Sequence, residues 1–291
     1  MFVAGIDGGG THTRMELRDM ENKLIRRGEF GPFNINSIGE DGFRSLIQEL
    51  FSWCGEMKEC ARLCIGAAGI SNPRVKQVLA EELDRAGFRG RWYLCGDQEI
   101  ALRGAMDGPG VVIIAGTGSI CFGKNAAGET ARSGGYGHLI DDGGSGYALG
   151  RDVLACAVRS LDGRIADQSM LQAVCDHLQG GPEKIVPFVY GPETDKAAIA
   201  RLSAIALEQA ELGNPEALNI LNRGAEELSR MVLAVQQRLG LAQCRIALMG
   251  GLLENNNLYR ETVADQLTPL GEVVPVLHNA LWGAAQMAWE L

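Results

Sequence analysis

Short apolar runs alternate with glycine-rich turns where the chain begins. Residues 2–6 are apolar and end at Asp7-Gly8-Gly9-Gly10-Thr11. Met15 and Leu17 then alternate with polar neighbours, and Glu21-Asn22 offers a turn. The pattern predicts strand, glycine loop, strand and turn. The same order recurs at residues 111–115, which run into Gly116-Thr117-Gly118-Ser119, then Ile120 and Phe122, then a turn at Asn125-Ala126-Ala127-Gly128. A unit met twice, roughly a hundred residues apart, suggests two related halves that could grip one ligand.

Helical patterns lie between these units. Phe43, Leu46, Ile47, Leu50 and Phe51 share one helix face, and Val75, Val78, Leu79, Leu83 and Ala86 share another behind Pro73. Residues 63–65 and 92–95 read as buried strands. Strand, helix, strand in that order predicts a parallel-rich α/β layer. The second half opens with the helical stripe Val153, Leu154, Ala157, Val158 and Leu161, and stays helix-rich to about 240 through Leu228, Met231, Val232, Val235 and Leu239. Residues 245–249 form a strand ahead of Gly250-Gly251, residues 273–276 a short strand, and residues 280–291 a closing helix. Asp107-Gly108-Pro109-Gly110 is turn-rich and divides the chain into domains at 1–107 and 108–279, the second with a helical insertion at about 150–240.

Composition narrows the functions this layout can serve. Glycine supplies 39 of 291 residues, many of them in the short turns, which points to backbone approaching a ligand rather than to disorder. The net charge is −9 without a basic cluster, so nucleic acid is not the expected partner. An anionic ligand must be met by local cations or backbone N–H groups. Residues 1–7 lack a basic leader pattern, and the run 111–115 falls far short of a membrane span. The expected location is therefore cytoplasmic, with no membrane partner. The eight cysteines include no Cys-x-x-Cys pair and read as small apolar core residues.

Asp7 at a strand end beside three glycines suits a magnesium–phosphate site. Glycine lets N–H groups approach phosphate oxygens, Thr11 and Thr13 add hydroxyls, and Asp7 would hold Mg²⁺ partly through water. The alternative is a tight turn with a capping aspartate. The Gly-Lys-Ser/Thr ending of a Walker A loop is absent. Gly116-Thr117-Gly118-Ser119 is a second such loop, or a plain hairpin. Gly250-Gly251 offers a flat surface for adenosine, or a simple strand-to-helix turn. Asp97 falls where strand 92–95 gives way to a helix, whose N-terminus should keep a carboxylate ionised. It reads as a base for hydroxyl phosphorylation or as an N-cap. Residues 134–146 surround Tyr136, His138, Asp141 and Asp142 with glycine, the make-up of a small-molecule contact loop. His138 reads as structural.

The segments fall in a recognisable order. They are Asp7-Gly-Gly-Gly-Thr-His-Thr-Arg14, Gly31-Pro-Phe-Asn-Ile-Asn36, Gly66-Ala-Ala-Gly69, Asp97, Gly116-Thr-Gly-Ser-Ile-Cys121, Gly134-Gly-Tyr-Gly-His138, Asp142-Gly-Gly-Ser-Gly-Tyr147, Gly250-Gly251 and Leu281-Trp-Gly-Ala-Ala285. The ordered set resembles the N-acetylglucosamine kinase-like branch of the BadF/BadG/BcrA/BcrD ATPase family, within the sugar kinase/actin/Hsp70 superfamily. The resemblance implies an α/β protein of two ribonuclease-H-like, actin-like ATPase domains flanking a nucleotide and substrate cleft, with helix 280–291 packing back on the first. It implies ATP and Mg²⁺ as cofactors and a small-molecule amino sugar as substrate, phosphorylated on its 6-hydroxyl. Asp7, Gly9, Gly10, Thr11 and Thr13 would form one phosphate loop, and Gly116, Thr117 and Gly118 its partner. Gly250 and Gly251 would carry the adenosine, and Asp97 would face the sugar hydroxyl. Asn34, Thr117, Ser119, Gly135, Tyr136 and Asp142 match positions lining the sugar pocket.

Two positions depart from the family pattern. Tyr136 stands where tryptophan is frequent, and Gly143 stands where Asp-Glu-Gly-Ser has its glutamate. Glucosamine is therefore the nearest alternative sugar. A sister branch activates radical dehydratases through an iron–sulfur cluster, which requires suitably placed cysteines. A ROK-type sugar sensor is disfavoured, because no Cys-x-Cys-Gly follows Gly137-His138. The oligomeric state is open, with a homodimer as one option.

Overall fold

The alternation that opens the chain becomes an antiparallel meander of β1 (Phe2–Gly8), β2 (Thr13–Arg18) and β3 (Leu24–Phe30). The computed structural model describes residues 1–70 and 72–291, and divides into two units, Met1–Gly108 with Pro275–Leu291 and Pro109–Val274. In unit 1 the meander continues into α1 (Ile35–Cys54), β4 (Cys60–Ala67), α2 (Pro73–Arg85), β5 (Arg91–Gly96) and α3 (Asp97–Ala105). β4 lies parallel to β1, and β5 parallel to β4, so the sheet order is β3-β2-β1-β4-β5. α1 and α2 start for local reasons. Asn34 and Asn72 accept N–H groups of their own first turns, and Pro73 opens α2 where its missing N–H costs no hydrogen bond.

Unit 2 repeats the meander as β6 (Gly110–Ala115), β7 (Ser119–Lys124) and β8 (Thr130–Gly134). Six helices follow: α4 (Gly146–Leu161), α5 (Ser169–His177), α6 (Ile185–Tyr190), α7 (Lys196–Arg201), α8 (Ser203–Glu211) and α9 (Pro215–Leu239). The unit closes with β9 (Cys244–Met249), α10 (Leu258–Leu267) and β10 (Gly271–Val274). The sheet order is β10-β9-β6-β7-β8, with β9 parallel to β6 and β10 parallel to β9. Read from β8, this is the topology of unit 1 read from β3. Each half thus has the α/β architecture that the resemblance implies. The last strand ends at Val274 rather than running through 276, because Pro275 lacks the N–H a ladder needs. No helix among the described residues is long and apolar enough to cross a membrane.

Strand alternation assigns the two faces of the unit 1 sheet. Ala4, Ile6, Leu63 and Ile65 pack with Phe43, Ile47, Leu50, Val78 and Leu79 of α1 and α2. On the other face, Val3, Cys64 and Cys95 meet Ile100 of α3 and Ala284 and Ala288 of α11 (Ala280–Glu290). Burying each leucine or isoleucine contributes about 1.5–3 kcal/mol. α11 comes so close to β1 that a Cβ added at Gly5 would collide with the Ala285 backbone. Gly5→Ala should therefore lower stability by about 1–3 kcal/mol, the usual cost of overpacking. A urea midpoint equal to that of the wild type would show that α11 does not press on β1.

Candidate active site

Each unit gathers its candidate residues at the carboxyl ends of its parallel strands, the edge where open α/β sheets bind ligands. In unit 1, the loop from β1 to β2 is pinned at its base. Gly9 donates to the His12 carbonyl (2.9 Å), and the Gly9 carbonyl accepts from Phe33 (2.9 Å). The second bond brings Asn34 to the loop. Asn34 spends its Oδ1 on the Asn36 N–H (3.0 Å), and its amide NH₂ remains available to donate. The tip, Gly10 to His12, is exposed, and no backbone carbonyl among the described residues takes the N–H of Gly10 or Thr11. Thr13 behaves otherwise than its hydroxyl suggested. It is buried and donates to the Gly31 carbonyl (2.6 Å), so it anchors the loop instead of facing solvent.

Asp7 is buried near the end of β1 and pairs with Arg14 across the hairpin, Nη2 to Oδ2 at 2.7 Å. Burial pushes its carboxyl above the usual range, and Arg14 offsets this only in part. The sequence reading gave Arg14 no role. The hairpin register, which sets Asp7 opposite Arg14, is the signal that would have found it.

Asp97 is the first residue of α3, and its Oδ1 accepts from the Gln98 N–H (3.0 Å). The cap position belongs to Gly96, whose N–H donates to Glu99 (3.2 Å). Asp97 is half-buried, and burial followed by the charge of Asp7 pushes its carboxyl upward. N–H groups at the helix start pull it down and do not win. The helix start favours the ionised form as expected but is opposed by burial and then by a second carboxylate on β1, the strand on the other side of β4.

In unit 2, the β6–β7 loop is a tight turn in which Gly116 donates to the Gly118 carbonyl (2.9 Å). The carbonyls of Gly116 and Thr117 accept the N–H groups of Gly146 (2.8 Å) and Tyr147 (3.2 Å), tying the start of α4 to the loop. Asp142 is buried at a positive φ of 65°, and its Oδ1 accepts from the Ser119 N–H (3.3 Å). Ser119 donates its hydroxyl to the Gly143 carbonyl (2.7 Å). These two side chains fasten the glycine-rich loop 135–145 to the turn, a positioning role. Tyr259, fully buried, donates to the Gly144 carbonyl (2.7 Å) and holds the same loop from α10.

Gly135 and Tyr136 lie on the exposed part of that loop, and His138 packs edge-on against Tyr147 with centroids 4.7 Å apart. Gly250 follows β9 at φ 90°, where a side chain would be strained and would strike the Ala115 carbonyl. Gly251 beside it faces open space. Because β9 pairs with β6, this surface adjoins the Gly116 turn.

The raised Asp97 carboxyl has a consequence for stability. The folded chain holds that proton to higher pH than the unfolded chain, so stability falls as pH rises from the ordinary aspartate value of 3.8 through the folded value. Asp97→Asn removes this loss. Denaturation midpoints of mutant and wild type should converge in acid and separate toward neutrality, with the mutant the more stable. A mutant less stable at neutral pH would show that the ionised form is favourably held.

The family model of the BadF/BadG/BcrA/BcrD ATPase family matches residues 4–286. The chain is 34% identical to an N-acetylmuramic acid/N-acetylglucosamine kinase of Clostridium acetobutylicum, over 99% of this chain and 98% of the relative. It is 29% identical to an N-acetyl-D-glucosamine kinase of Dictyostelium discoideum, over 98% of this chain and 96% of that one. A candidate N-acetylglucosamine kinase of Chromobacterium violaceum, solved by crystallography, shares the fold with a TM-score of 0.77 at 24% identity, covering 99% of this chain and 98% of that one. From the Asp7 loop to the closing helix, the chain belongs to the BadF/BadG/BcrA/BcrD ATPase family.

Proposed function

We propose that this chain is an ATP-dependent amino-sugar kinase, which phosphorylates the 6-hydroxyl of N-acetylglucosamine or a close relative such as N-acetylmuramic acid. The observation that carries the reading is the Asp97 carboxylate. It stands at a strand's carboxyl end and a helix start, electrostatically coupled to Asp7, in a chain matched end to end with amino-sugar kinases. Burial makes Asp97 a stronger base than a surface aspartate, which suits it to accept a hydroxyl proton.

In this mechanism Asp97 holds the sugar hydroxyl and takes its proton as the oxygen bonds to the γ-phosphorus. The bond from that phosphorus to the β-phosphate bridging oxygen breaks, and ADP leaves. In unit 1, the N–H groups of Gly10 and Thr11 and the Thr11 hydroxyl are the phosphate donors, with Gly9 shaping that loop and Thr13 fixing it. In unit 2, Gly116, Thr117 and Gly118 form a phosphate loop, and Gly250-Gly251 gives adenosine a flat bed. Asn34, Thr117, Gly135 and Tyr136 contact the sugar, while Ser119 and Asp142 hold the contact loop in shape. Most of the rate enhancement then comes from positioning and charge neutralisation.

Asp7 fits Mg²⁺ of a particular kind. Among the described residues, no three His, Cys, Asp or Glu side chains cluster as a metal cage. Magnesium arriving on nucleotide phosphates needs only one or two carboxylates and keeps waters, and Asp7 supplies that donor. Bound there, the ion would neutralise phosphate charge. The cysteines oppose the iron–sulfur alternative. Cys60, Cys64 and Cys121 are buried in the cores, and among the described residues no three metal-ligating side chains cluster around any of them.

The test is Asp97→Asn with N-acetylglucosamine as acceptor. Turnover should fall by about 10²–10⁴-fold, the range for losing a general base, while ATP still binds. Turnover near the wild-type rate would remove Asp97 from the mechanism.

A further inference from the structure

Arg132 points to a finer property of the sugar site, and the inference rests on the kinase reading above. Arg132 lies on β8, and its guanidinium carbon sits 4.9 Å from the centre of the Tyr136 ring. Both side chains are exposed, Tyr136 at 60%. Arg151, Arg164, Arg223 and Arg230 of the same unit each hold a carboxylate. Arg132 pairs with none among the described residues, and its one cation contact is the tyrosine ring. Asp141 of the adjoining loop accepts the Tyr136 backbone N–H at 3.2 Å.

The chemistry of the guanidinium decides what this arrangement can bind. Its five N–H donors lie in the molecular plane, whereas the ring attracts one face of that plane. The ring beneath the guanidinium carbon takes none of those N–H donors as a hydrogen-bond acceptor would, which leaves the fork for a planar carboxylate with two parallel bonds. The setting makes a local cation necessary. With a net charge of −9, the protein repels an anion at long range, so an acidic substrate needs a positive group at its docking point.

We propose that Arg132, held over the Tyr136 ring, is a carboxylate-reading subsite. Within the substrate class proposed above it would distinguish N-acyl amino sugars that carry a carboxylate on an ether arm, such as the 3-O-lactyl group of N-acetylmuramic acid, from neutral ones. Arg132 is a specificity residue in this scheme and takes no part in phosphoryl transfer.

The experiment compares kcat/KM for N-acetylmuramic acid and its neutral carboxamide by ADP release, with N-acetylglucosamine as reference. Wild type should prefer the acid over the amide by about tenfold, the worth of one charge-assisted bond. Arg132→Gln should bring that ratio to about one, and Arg132→Lys, which keeps the charge without the fork, should fall between. Arg238 donates to the Arg132 carbonyl at 2.8 Å and carries the same charge, so Arg238→Gln reports on the general field and should keep the preference. The proposal is overturned by a wild type indifferent to the carboxylate, by a preference that survives Arg132→Gln, or by an equal loss in Arg238→Gln. Turnover of N-acetylglucosamine with neither lactyl sugar accepted would overturn this inference and leave the kinase reading standing. No turnover of any of the three sugars would overturn both.

Discussion

Two carboxylates that would rather not be charged govern unit 1. Asp7 and Asp97 occupy β1 and the start of α3, on strands flanking β4, and burial raises both. The charge on Asp7 adds to the cost of ionising Asp97, and Arg14 is the counter-ion of Asp7 itself, 2.7 Å away. The surrounding fold is arranged to keep this unfavourable pair in place. β1 is clamped by α11 over Gly5, α3 supplies N–H groups beneath Asp97, and Thr13 ties the adjacent loop to Gly31.

The same sheet topology is used twice to different ends. Unit 1 carries charged side chains at its strand ends. Unit 2 presents backbone instead: a tight glycine turn, an open Gly251 and a loop held down by Asp142, Ser119 and Tyr259. Its buried carboxylate works as a fastener, accepting a backbone N–H rather than meeting solvent. The phosphoryl transfer proposed above asks for both kinds of group, since positioning and charge neutralisation do most of what a protein must do in it.

Much of this was legible in the sequence. The glycine loops after residues 6 and 115 and the helical stripes announce themselves through local periodicity, and the elements found follow them closely. The order of motifs led to the family. What stayed hidden is what depends on distant partners. Thr13 and Ser119 were recognisable as hydroxyl donors, but their acceptors, Gly31 and Gly143, arrive from other segments. The upward push on the Asp97 carboxyl stayed hidden because a local rule about helix starts sees neither its burial nor Asp7, ninety positions earlier. Arg14 was within reach, since the hairpin register alone sets it against Asp7. The end of β10 was misplaced by overlooking what Pro275 does to a ladder.

In the reaction proposed above, a phosphoryl group passes from ATP to a sugar hydroxyl. Its most direct test measures ADP and sugar phosphate together, with N-acetylglucosamine, with its 6-deoxy analogue and with no sugar. The account predicts ADP release that requires N-acetylglucosamine, matches the 6-phosphate ester formed one for one, and does not occur with the 6-deoxy analogue. ADP release at the same rate without sugar, and with no phosphate ester formed, would contradict it.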